Sequence, residues 1–169
     1  SHSTYPLRRE EFWQTCATVE ISLNRGRPMF FAKLHPLLVH FPVGLLVSGA
    51  MFELYGNFRG EKTVSEAGVF NVRFGFWCAL PVVIVGILGV MAIEVRDEFR
   101  PFLGWHILSA FATVILFLGV LLLNRFRDRT WGKATYHLFL MMGLGAVLSA
   151  GFFGGELVHR FNVSTLAGN

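Results

Sequence analysis

Two shortages narrow the possibilities before any motif is considered. The 169-residue chain carries only two cysteines, Cys16 and Cys78, and neither lies in a CxxC or CxxCH pattern. That excludes covalent haem attachment and a thiolate zinc site, and it leaves Cys78 as a small apolar packing residue. Charge is also scarce: 15% of residues are Asp, Glu, Lys or Arg, against 53% hydrophobic and a mean hydropathy of +0.52. This composition is too apolar for an ordinary soluble domain of such length. Internal repeats and low-complexity stretches are not evident. The net charge of +4 is spread over loops and tail, so nothing concentrates it for nucleic-acid binding.

What is present is long uncharged runs. Stretches free of acidic and basic residues cover 34–52, 74–93, 101–124 and 134–155, of 19, 20, 24 and 22 residues. A helix needs about 20 apolar residues to cross a hydrocarbon core. The fold class expected is therefore all-α, an integral membrane antiparallel four-helix bundle over 34–165. A soluble bundle would require polar faces at helical spacing, which the runs lack. Spans are expected near 34–56, 69–95, 101–124 and 134–159, with a loop around Asn57–Gly68, a tight turn around Arg96–Arg100 and a basic loop Arg125–Lys133. Residues 1–33 read as a polar tail, without the apolar core and small-residue cleavage site of a secretory signal. Glu10 to Leu23 has the pattern of a short interfacial helix.

Up-down-up-down topology assigns sides. Arg59, Lys62, Arg73, Arg125, Arg127, Arg129 and Lys133 share one face. Arg25, Arg27, Lys33, Arg96, Arg100 and Arg160 share the other. Seven against six is a narrow positive-inside vote. It places the tail and both termini on the periplasmic side of a bacterial inner membrane.

The ionisable residues within the spans then segregate. His35 and His40 open the first span, within LHPLLVHFP, and His106 opens the third. Glu94 closes the second, while Glu156 and His159 close the fourth, so all six share one end; Glu53 and His137 fall at the other. Intramembrane ionisable residues are functional candidates. From His40, helical spacing reaches Gly44, Ser48 and Met51; from His106, it reaches Ala110, Thr113 and Phe117. Small residues favour close helix contact, as do Gly145, Ser149 and the GxxxG pair Gly151 and Gly155. These stripes predict that His40, His106 and Glu156 converge inside the bundle. His35, five residues and about 140° from His40, reads as part of an interfacial helix start with Pro36 and Pro42. His159 reads as a helix-end residue, and His137, near Trp131 and Tyr136, as part of an interfacial belt.

Two imidazoles from different helices at matched depth are the axial ligands of a b-type haem, which needs no covalent motif. His40 and His106 are the metal-ligand candidates. Glu156, His35 and His159 are further cofactor-binding candidates, and Glu94 and Glu156 are candidates to orient a ligating histidine. Phe41, Phe102, Trp105, Phe152 and Phe153 supply aromatic surface at that end. Copper or zinc fits less well, for want of further histidines, and a magnesium-porphyrin pigment would need only one, such as His137. No catalytic residue stands out, since the spans hold no nucleophile–base or acid pair.

LHPLLVHFPVGLL at 34–46 and GGELVHRFNV at 154–163 resemble the two ends of a bacterial family of four-helix membrane proteins of unknown function. Its members open with HP-x-x-VHFP and close with a GG-x-LV segment. The resemblance covers 34–165, with His35, Pro36, His40, Phe41 and Pro42 on the opening motif and His106 where the third helix commonly carries His. His159 stands where Tyr is usual. The family is often encoded beside, or fused to, c-type cytochromes. The resemblance therefore implies a subunit of a redox or energy-transducing complex, in contact with the bilayer, other membrane subunits and a separate c-type cytochrome as donor. The bundle suggests electron transfer through haem b, and the alternative is a cofactor-free structural or assembly subunit of the same complex.

Overall fold

The computed structural model describes residues 9–161 apart from Ala92, Glu94 and Asp128, with side chains from Lys33 onward apart from Thr130. Four long helices account for nearly all of it: α1 (Arg9–Arg59), α2 (Lys62–Val90), α3 (Arg100–Leu123) and α4 (Thr130–His159), with a short 3₁₀ turn at Asn124–Phe126 after α3. No strand occurs among the described residues. Four segments are long and apolar enough to cross a membrane: Lys33–Arg59, Lys62–Val90, Arg100–Phe126 and Trp131–His159. The all-α four-helix membrane bundle expected from the uncharged runs is the architecture found.

Two local features differ from expectation. The broad loop around Asn57–Gly68 contracts to a two-residue turn. Gly60 adopts φ +74°, and the Glu61 amide donates to the Gly56 carbonyl at 2.8 Å, so α1 ends in a glycine-terminated cap and α2 begins at once. The prolines of LHPLLVHFP do not start a helix either. α1 passes through them, so Pro36 and Pro42 each leave a carbonyl one turn earlier without its usual amide donor. The side chains of Glu10 to Leu23, and hence the interfacial face expected there, lie outside the described residues.

The bundle is two hairpins. α1 packs principally on α2 and α3 on α4, while α1–α4 and α2–α3 contacts join the hairpins. In the first hairpin the helices approach backbone to backbone: a Cβ on Gly68 would lie 2.5 Å from the Glu53 amide nitrogen, and one on Gly56 2.5 Å from that of Ser65. The core runs through Leu46, Ala50, Val72, Phe76, Phe117, Val120, Tyr136, Leu140 and Val147. A smaller cluster of Phe99, Leu103 and Leu157 closes the end where α2 passes into α3.

Candidate functional site

The buried positions of α1 set the direction of its histidines. Pro42, Leu46, Gly49, Glu53 and Gly56 are buried, at alternating steps of four and three. His35 precedes Pro42 by seven residues and so lies on this inward line. His40 precedes Pro42 by two, about 200° around the helix, and is exposed. Of the stripe below it, Gly44 has open space where a Cβ would be and Met51 is 58% exposed, while Ser48 is half-buried and accepts from Asn71 of α2 at 3.4 Å.

α3 follows the expected phase. His106 is partly buried, and below it Thr113 and Phe117 are 6% and 0% exposed. The inward line of α4 is Gly143, Val147, Ala150 and Leu157, whereas Gly145, Ser149 and Gly151 are exposed. The pair brought together is therefore His35 with His106, not His40 with His106. Their ring centroids lie 6.2 Å apart with the planes at 80°.

Each ring is held the same way by the other helix of its own hairpin. His35 Nδ1 lies 3.0 Å from the Val82 carbonyl of α2, and His106 Nδ1 lies 3.0 Å from the Ala150 carbonyl of α4. One turn on from each carbonyl is a glycine that makes room for the ring. A Cβ on Gly86 would come within 2.8 Å of His35 Cε1, and one on Gly154 within 3.0 Å of His106 Cε1. The two hairpins thus repeat one device, a histidine bonded to a carbonyl four residues before a glycine, although their sequences show no repeat. A carbonyl only accepts, so both Nδ1 atoms carry the proton and donate. In the neutral rings, both Nε2 atoms keep a lone pair with no partner among the described residues.

The other candidates stand apart. Glu156 pairs with Arg160 at 3.4 Å on its own helix end, and His159 is exposed. Glu94 lies outside the described residues. Arg160 also lies over the rings of Phe102 and Phe161, at 5.6 and 5.3 Å. Trp105 stacks on Phe153 at 6.3 Å beside them, so the histidine end is rich in aromatic surface. Among the described residues no three His, Cys, Asp or Glu side chains come together as an ion site.

At the opposite end lies an arrangement that the sequence reading did not assemble. Glu53 is fully buried, and its Oε1 accepts from Arg127 at 2.6 Å, Asn57 at 2.8 Å and Ser65 at 3.2 Å. Arg127 also bonds to Ser65 at 3.2 Å and lies 4.8 Å from the centroid of the buried Tyr136 ring. The signal available was a lone carboxylate on the inward line of α1. Its partner was hidden in a basic loop, where arginines ordinarily only orient a protein.

A family model described as predicted membrane protein (DUF2231) matches residues 32–167. The chain belongs to the DUF2231 family. The match takes in all four DUF2231 spans and both end motifs, so the resemblance drawn from those motifs stands. No curated protein and no solved structure matches the chain.

Proposed function

We propose that the chain is a membrane electron-transfer subunit that binds one b-type haem between His35 and His106. The observation that carries this reading is the pair itself: two imidazoles from different hairpins with centroids 6.2 Å apart, each with Nδ1 committed to a backbone carbonyl and Nε2 without a partner among the described residues. Metal-ligating histidines characteristically hold their tautomer and orientation through such a bond. The donor set also discriminates between metals. An ion held wholly by protein needs three or four ligands, and only two histidines meet here. Haem iron brings four nitrogens of its own and requires two.

Haem bound at this place would supply one-electron chemistry. The chain's part is to fix both imidazoles from backbone carbonyls, to surround them with apolar and aromatic side chains, and to keep the site in a medium of low dielectric. Position near the tail side of a bacterial inner membrane suits exchange with a c-type cytochrome docked there, within a larger redox or energy-transducing complex. A second reading rests on the same contact without cofactor, in which the perpendicular imidazoles brace the two hairpins of a structural subunit.

Absorbance of the purified full chain, oxidised and then reduced with dithionite, separates the two. Expected is a six-coordinate, low-spin b-type spectrum that does not change under carbon monoxide, because both axial positions are occupied. Well-folded protein produced with ample haem and showing no such spectrum would leave only the bracing role.

A further inference from the structure

We infer that the groove between the last turns of α1 and the first turns of α4 is a binding site for an anionic phospholipid. The groove has a volume of about 550 Å³ and opens to the side of the bundle, within the range of small-molecule sites. Its walls are Tyr55, Phe58 and Met141, which are 52%, 87% and 54% exposed, so they present a continuous apolar surface outward. Its polar groups are Asn57, Lys133, His137 and the hydroxyl of Tyr55, and none of the residues lining it is acidic.

Position and charge together select the occupant. The groove lies at the end of the bundle where Arg59, Lys62, Arg129 and Lys133 are all exposed, which marks the headgroup level. A cation there attracts an anionic headgroup, and the apolar walls lead from it toward the hydrocarbon, as an acyl chain requires. His137 Nδ1 lies 2.7 Å from its own helix's Lys133 carbonyl, which leaves Nε2 as its remaining hydrogen-bonding atom. Asn57 is already engaged, since its amide group donates to Glu53. The phosphate therefore falls to Lys133, while His137 Nε2, whose lone pair accepts, suits a hydroxyl of the headgroup, and one lipid is seated against α1 and α4, a seam between the two hairpins.

The test uses the full chain in nanodiscs of phosphatidylcholine doped with phosphatidylglycerol, followed by native mass spectrometry of retained lipid. Expected is selective retention of one phosphatidylglycerol per chain. Lys133→Gln should weaken it about fivefold, the effect of about one basic residue at an anionic surface, and Met141→Trp should displace it by filling the wall. Lys62→Gln, on the same side but outside the groove, should leave retention unchanged. Equal retention of phosphatidylcholine would overturn the inference. So would equal losses in Lys133→Gln and Lys62→Gln, which would mean surface charge alone. Each variant changes an exposed side chain, and thermal unfolding of the same samples identifies any loss that comes from misfolding.

Discussion

Arg127→Ala should destabilise the bundle by about 3–5 kcal/mol, the cost typical of stranding one partner of a buried ion pair. Glu53 has no exposed surface, and Arg127 is its only cation among the described residues, at 2.6 Å. Asn57 and Ser65 would still donate to the carboxylate, but neither carries charge. The reverse change should be milder. In Glu53→Gln the amide keeps neutral partners, and Arg127, with a quarter of its side chain exposed, can turn toward headgroups. A loss of about 1–2 kcal/mol is expected there. The double variant Glu53→Gln/Arg127→Met should recover most of what Arg127→Ala loses, because no buried charge is left unpaired. Unfolding in mixed micelles by denaturing detergent measures all three. A loss below about 1 kcal/mol in Arg127→Ala would mean that the pair does not clamp the end of α3 onto the first hairpin.

If haem binds as proposed, Gly154→Ile and Gly86→Ile should each empty the histidine site while leaving both histidines in the sequence. The bulk would fall on the ring itself: a Cβ at Gly154 already reaches 3.0 Å from His106 Cε1, and one at Gly86 reaches 2.8 Å from His35 Cε1. A branched side chain there must push the imidazole off its carbonyl, and the Nδ1 bond that fixes the tautomer goes with it. Loss of at least tenfold in haem content is expected, within the 10- to 100-fold range seen when an outer partner of a ligand is removed. Gly151→Ile and Gly155→Ile are the matched controls, since a Cβ at either position meets open space. Haem content should be unchanged in both. Equal loss across the four variants would indicate general damage to α2 and α4 rather than displacement of the rings.

Much of this organisation is legible in the sequence, and the failures have physical causes. Uncharged runs of membrane length needed no tertiary information, which is why the four spans and the side on which each histidine falls could be read directly. The phase of α1 could not. Gly44 and Ser48 read as an interface because small residues let helices approach, and Ser48 does meet Asn71 of α2, yet α1 makes its close backbone approaches through Gly49 and Gly56. Two sets of small residues lie on one helix, and only packing decides between them. A different clue was available: a carboxylate inside a span rarely faces lipid. Taking Glu53 as inward fixes Gly49, Leu46 and Pro42 inward, and His35 after them. The repeated carbonyl and glycine device is invisible in sequence because its parts lie 44 to 51 residues apart and Val82 corresponds to Ala150 only in space.

In the proposed site it is His35, and not the neighbouring His40, that pairs with His106 across a single cofactor. This pairing is tested most directly by the pyridine haemochrome content of His35→Ala and His40→Ala, purified side by side with the unaltered chain. One haem b per chain is predicted for the unaltered protein and for His40→Ala, with less than a tenth of that in folded His35→Ala. Haem retained in His35→Ala and lost in His40→Ala would contradict the account, as would its absence from all three.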